Sequence, residues 1–278
     1  MKRLIIRPGG IGDCILALPA MERLRAETTE VWVAGQNVPL IRFADSVRPI
    51  ASTGLDLVGI PDRDPLPHVL ERLAGFDSII SWYGTSRPEF RAALAGLPFR
   101  FLAALPDHPG VHAADFFDRQ VGPASGPAIP RIKCPSAVRA GFIAIHPFSG
   151  SPRKNWPLDR FRELARRLDA PVRWCAGPEE AFEGAVRFDS LYDLACWLAS
   201  ARLYIGNDSG ITHLAAAVGT PVVALFGPTD PAVWAPRGER VAMVATPKPG
   251  DAMESIAVEE VLRRISRSWR PHPGRTAG

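Results

Sequence analysis

Ile205-Gly206-Asn207-Asp208-Ser209-Gly210-Ile211-Thr212-His213-Leu214, closed by Gly219-Thr220-Pro221 and followed by the apolar run 222–226, decides the fold. An apolar strand over 203–206, a polar glycine turn, a helix over 211–218 and a second strand form a β-α-β unit, the signature of a parallel sheet. The turn is also an anion site in outline. The first N–H groups of a helix have no carbonyl partner and meet negative charge well, and Asp208 or Ser209 is a fitting cap. His213 lies about one turn further in; a lone histidine there is as consistent with packing as with ligand contact.

The same alternation runs outward from this unit. Upstream stand strands at 142–145 and 172–175 and helices over 158–168 and 191–199. In the first half, strands are expected at 4–7, 31–34 and 78–82, with a helix from the first glycine loop to about 27, in which Pro19 implies a kink or a late start. Between the halves, residues 122–140 hold prolines and glycines without periodicity and read as a linker, giving domains at 1–138 and 139–278. Both halves open with strand, proline-glycine loop and helix. The expected architecture is α/β, two Rossmann-like domains facing across a cleft, with ligand loops beyond the carboxyl ends of strands.

Composition bounds the function. The 278 residues are 46% hydrophobic and 22% charged, ordinary for a globular chain, and no apolar run approaches the ~20 residues that span a bilayer. A cytoplasmic protein is expected. Cys14, Cys134, Cys175 and Cys196 are scattered without metal-ligand spacing and read as free, mostly buried thiols. The net charge of +4 is densest in the tail, at Arg263, Arg264, Arg267, Arg270 and Arg275, which reads as a solvated, frayed terminus. Nothing in it suggests a nucleic-acid partner; an anionic membrane surface is the contact such a tail leaves open.

Two further segments carry chemistry. Arg7-Pro8-Gly9-Gly10-Ile11-Gly12-Asp13 follows a strand and opens a helix, with Gly10 and Gly12 letting backbone approach a ligand. Its spacing is not GxGxxG, and Asp13 would repel a dinucleotide pyrophosphate, so this carboxylate is either a general base or a helix cap. His146-Pro147-Phe148-Ser149-Gly150-Ser151-Pro152-Arg153-Lys154 ends in a lysine, one of only four among 33 basic residues, and a compact ammonium suits phosphate. Asp62-Arg63-Asp64 matches a metal-binding DxD pattern, but in a proline-bounded loop where so short a pattern arises by chance.

Together, GGIGD near the start, SGSPRKNWP after the second-half strand and IGNDSGITHLAAAVGTPVVALFGPTDP near the end resemble the bacterial heptosyltransferases of glycosyltransferase family 9. The resemblance covers most of 1–35 and 140–235; residues 36–125 carry no matching motif. It implies a GT-B fold, with an N-terminal acceptor domain and a C-terminal donor domain. It also implies inverting transfer of heptose from an ADP-linked donor to a lipopolysaccharide-core glycan or glycolipid, peripheral to the inner face of the inner membrane. Asp13 would be the base, and Lys154 and Ser149 would lie by the donor phosphates. Asp208, Ser209, Gly210 and His213 would form the diphosphate site, and Glu180, with Glu179 nearly as good a match, would meet the ribose.

The chain is shorter than is usual for the family, through its first half, and reads DSG where heptosyltransferases often read DTG. No metal or other cofactor is expected: Lys154 and the helix N-terminus take the place of a divalent ion. A nucleotide-binding module without transfer activity is the alternative. An NAD-type oxidoreductase lacks both its glycine fingerprint and the acidic residue after the second strand, where Gly35-Gln36 stand.

Overall fold

The computed structural model describes residues 1–60, 66–106, 110–135, 140–248 and 250–268. It divides into two compact units, Met1–Ile132 with Ser190–Asp193, and Lys133–Asp189 with the chain from Leu194 on. The first holds β1 (Lys2–Arg7), α1 (Ile11–Arg23), β2 (Thr28–Val33), β3 (Ser46–Pro49), α2 (Leu66–Leu73), β4 (Ser78–Ser81), α3 (Pro88–Ala93), β5 (Phe99–Phe101) and α4 (Ala113–Gln120). Its sheet has the order β3-β2-β1-β4-β5. Every pairing in it is parallel.

The second unit repeats the plan with β6 (Ile143–His146), α5 (Leu158–Arg166), β7 (Val172–Trp174), α6 (Leu191–Ser200, whose first three residues group with the first unit), β8 (Leu203–Asn207), α7 (Gly210–Ala217), β9 (Val222–Phe226), α8 (Pro231–Trp234), β10 (Val241–Ala245) and α9 (Val258–Ser268). The order β10-β9-β8-β6-β7 is again parallel throughout. Both are doubly wound, Rossmann-like sheets. In each, the chain reverses its direction of travel across the sheet beside the first strand, between β1 and β4 and between β6 and β8. At such a switch point the loops leaving two adjacent strands diverge to opposite faces and open a crevice beyond their carboxyl ends. The segments Arg7 to Asp13, His146 to Lys154 and Asn207 to His213 all leave strands that border these two points.

Burial explains why these sequences form these strands. β8 and β9 are buried at every position, as sheet strands covered by helices on both faces must be. In the second unit Ile143, Ile145, Ile205, Val223 and Leu225 pack with Trp156 and Phe161, whose rings meet edge-on at 4.9 Å. The first unit's core joins Leu4, Ile6, Trp32 and Ile79 to Phe90 and Leu73.

Three expectations change. α1 begins at Ile11 and ends at Arg23, short of 27, with Pro19 inside it. Pro19 has no N–H to donate to the carbonyl one turn earlier, so that bond is lost within a continuing helix. The basic terminus is helical as far as Ser268, because Val258, Val261 and Ile265 recur at helical spacing and bury one face. Arg263, Arg264 and Arg267 therefore sit on the exposed side of a packed helix; Arg270 and Arg275 lie outside the described residues. All four cysteines are free, but only Cys14 and Cys175 are buried. Burial pushes each of those two thiols up to about 12, so neither is a nucleophile. Among the described residues no helix is long and apolar enough to cross a membrane.

Candidate active site

In the second unit, β8 delivers its last residue, Asn207, to the switch point with its side chain fully buried. Its amide nitrogen donates to the Pro147 carbonyl at 2.8 Å and its amide oxygen accepts the Trp156 N–H at 3.0 Å. One side chain thus fixes both ends of the loop after β6. That loop presents Lys154, whose ammonium donates to Asp208 Oδ2 at 2.6 Å. The Thr229 hydroxyl donates to the same oxygen, also at 2.6 Å. Asp208 is buried, its side chain 7% exposed against 29% for Lys154, so the carboxylate is an inner support that holds the ammonium in place.

Ser209 caps α7, its hydroxyl accepting the Thr212 N–H at 3.4 Å and lying 3.1 Å from the Thr212 hydroxyl. Tyr204 extends the chain of hydroxyls, 3.2 Å from Thr212 Oγ1. Its ring lies over Gly206, where a Cβ would sit 2.8 Å from the ring's Cζ, so the glycine is required for the tyrosine to reach the helix start. Gly210 opens α7, whose first-turn N–H groups and dipole make a positive end next to Lys154 and Asp208. His213 is buried one turn in. Ser149 Oγ lies 2.7 Å from both the Ser151 carbonyl oxygen and Asn155 Oδ1, with one proton to give to either, so its hydroxyl shapes the loop that carries Lys154.

Glu180 stands beyond β7. His146, at the end of β6, meets its Oε2 at 2.9 Å, and the Gly177 N–H donates to the same oxygen at 2.6 Å. Both of these bonds fall on Oε2. Burial pushes this carboxyl up, but the His146 hydrogen bond and charge, the Gly177 N–H and Arg187 outweigh it and hold it below the ordinary carboxylate value. Glu179 is exposed and takes part in none of these bonds.

In the first unit, Gly10 is the N-cap of α1 and its N–H donates to Asp13 Oδ2 at 3.0 Å, so Asp13 does cap the helix. Its other oxygen, Oδ1, lies 3.7 Å from Nη2 of Arg7, with the carboxylate side chain 36% exposed. Gly9 adopts φ 140°, and a Cβ there would sit 3.1 Å from that of Asp13. Gly12 is the second residue of α1. Asn37 donates to the carbonyls of Gly9 at 3.1 Å and Gly10 at 3.4 Å, clamping the loop from beneath.

Sequence reading missed the supports: Asn37, His146, Asn207, Tyr204 and Thr229. Thr229 belongs to the FGPTDP stretch that ends the last motif, and its hydroxyl bonds the lysine's carboxylate partner. Only the conjunction of a buried polar residue with two opposed motifs would have revealed Asn207, and burial is not written in sequence. Among the described residues, no group of three or more His, Cys, Asp or Glu side chains is arranged to hold a metal ion. Asp62, Arg63 and Asp64 lie outside the described residues.

The family model for glycosyltransferase family 9 (heptosyltransferase) matches residues 184–256. Over 128 residues the chain is 29% identical to lipopolysaccharide heptosyltransferase 1 of Escherichia coli (strain K12), a stretch that is 41% of this chain and 40% of that protein. In sequence the chain therefore spans about two fifths of that curated relative's length. Solved structures align over nearly all of it. The E. coli heptosyltransferase WaaC with ADP gives a TM-score of 0.70 at 18% identity, covering 97% of this chain and 100% of that one. The glycosyl transferase family 9 from Veillonella parvula DSM 2008 gives 0.73 at 19%, covering 96% of each. At such identities the likeness establishes the fold, α/β of the GT-B type.

The depressed Glu180 carboxyl has a consequence for pH. A group held below its ordinary value of 4.5 in the folded state adds stability above that value, and the addition is lost as pH falls through the folded value. The parent protein should lose stability more steeply than Glu180→Gln as pH is lowered from about 5 to about 3, followed by denaturant unfolding. Parallel slopes would show that the carboxyl is not held in this way.

Proposed function

We propose that this chain, which resembles glycosyltransferase family 9 in the sequence of its second unit and heptosyltransferases in its fold, is an inverting, metal-independent glycosyltransferase. Its donor is a nucleoside-diphosphate sugar, with an ADP-linked heptose the reading favoured by the resemblance. Its acceptor is a glycan or glycolipid of the lipopolysaccharide-core kind. The observation that carries the reading is the Lys154–Asp208 pair beside the N-terminus of α7, a fixed ammonium and a helix dipole converging at a switch point.

The chemistry follows from these parts. A single displacement needs a base on the attacking hydroxyl and relief of the charge that grows on the departing diphosphate. Asp13 supplies the first, through Oδ1, since Oδ2 is committed to the Gly10 N–H. Lys154 and the first N–H groups of α7 supply the second, and Asp208 and Thr229 keep the ammonium from rotating away. Glu180 holds the ribose through Oε1. Because positioned charges here do the work of a cation, transfer should continue in excess chelator; activity lost in chelator and restored by a divalent ion would overturn the metal-free mechanism.

Asp13→Ala should lower turnover by about 10² to 10⁴ with ADP affinity nearly unchanged, as read by ADP release and calorimetry. A variant as active as the parent would leave Asp13 a helix cap alone. For Lys154→Ala the loss in kcat should exceed the loss in ADP binding, with about 2–4 kcal/mol missing from transition-state stabilisation. Lys154→Arg should recover only part, because a planar guanidinium presents its charge differently. Equal losses in binding and turnover would make Lys154 a binding residue only, and a parent protein that binds no nucleoside diphosphate would sink the transferase reading.

A further inference from the structure

Arg7 is the last residue of β1 and is 3% exposed. Its guanidinium carbon lies 4.6 Å from the centroid of the Phe117 ring on α4. Nε and Nη2 are buried and make no hydrogen bond; the nearest opposite charge is Asp13 Oδ1, 3.7 Å from Nη2. Burial lowers the pKa of this arginine, opposed first by Asp13 and then by Cys14. As a stabilising device this arrangement is poor. A guanidinium taken out of water recovers its desolvation cost through short, bidentate bonds to a carboxylate, and here one long contact stands in their place. Buried donors left unbonded call for an explanation other than stability.

We infer that Arg7 is a positioning residue that aims the free oxygen of Asp13 at the acceptor hydroxyl; this rests on the proposed role of Asp13 as base. The two carboxylate oxygens are treated differently. Oδ2 is tied by a full hydrogen bond from Gly10. Oδ1 faces a positive charge at 3.7 Å, close enough for attraction and too far for a hydrogen bond, so its direction is set while its lone pairs stay open to a proton. A carboxylate clamped by two hydrogen bonds at that oxygen would be held as well but would be a worse base. The Phe117 ring gives the guanidinium a favourable contact on its face, and a side chain at Gly9 would have no room beside the Asp13 carboxylate.

Arg7→Met fills the space of the buried side chain with an apolar one and removes the charge; Arg7→Lys keeps the charge. ADP release with a deacylated inner-core oligosaccharide as acceptor gives kcat, calorimetry with ADP gives donor-side affinity, and thermal unfolding gives stability. Arg7→Met should cut kcat on the order of 10- to 100-fold, the cost of a misaimed group, with ADP affinity unchanged and Tm no lower than the parent's. Arg7→Lys should restore part of kcat, and Arg7→Met in an Asp13→Ala background should cost nothing further. A Met variant with the parent's kcat, or one that loses Tm and kcat together without rescue by Lys, overturns the inference. If the parent releases no ADP on any acceptor, the transferase reading fails and unfolding alone decides the pairing. Asp13→Ala should then lower Tm by stranding a buried guanidinium, and adding Arg7→Met should restore it; an unchanged Tm in Asp13→Ala overturns the pairing.

Discussion

The buried side chain of Asn207 is the constraint on which the second unit's site depends. β6 and β8 are neighbours with parallel register, so the loops leaving them start side by side, but nothing in strand pairing fixes how those loops continue. The Asn207 amide does, accepting from one end of the long loop and donating to the other. An amide has both a donor and an acceptor at fixed spacing, and a buried one must satisfy both, so loop and turn are held in a single arrangement. Trp156, immediately after the loop, anchors it to the core, with its indole N–H donating to the Ile256 carbonyl at 3.0 Å. Lys154 is therefore carried on a segment pinned just beyond it.

Each charged group at the two sites has a partner, and the partners differ in kind. Lys154 makes a short bond to a buried carboxylate that also accepts from Thr229, which orders a flexible side chain. Glu180 shares one oxygen between His146 and a backbone N–H. Asp13 has one oxygen bonded and the other only faced by a charge.

The likeness in sequence and the likeness in fold have different reach. The family model matches 184–256, which lies in the second unit except for Ser190–Asp193 and holds the Asn207–His213 turn but not the loop that carries Lys154. Fold likeness extends through the first unit as well, across 36–125, where no motif is visible. Elements there are short: β3 has four residues, β5 three and α3 six. Strands of that length complete no apolar pattern, and their positions are set by pairing with β2 and β4.

By itself the sequence determined the β-α alternation, the parallel sheets and the two-part plan, and it singled out Asp13, Lys154, Asp208 and Ser209; Glu180, with Glu179 beside it, came only from the resemblance. These are local or periodic signals: apolar runs of strand length, glycine turns, caps and a rare lysine. It misjudged the end of α1 and the basic terminus, since whether a stretch frays depends on the face it can bury, and Val258, Val261 and Ile265 find theirs on the second sheet. Only the tertiary structure decided which partner each motif residue has. Lys154 and Asp208 are 54 positions apart, and His146 and Glu180 are 34 apart. The sequence holds no record of such distances. They are created when parallel strands bring the ends of remote segments to one edge of a sheet, where burial favours pairing each polar group with a neighbour the fold supplies.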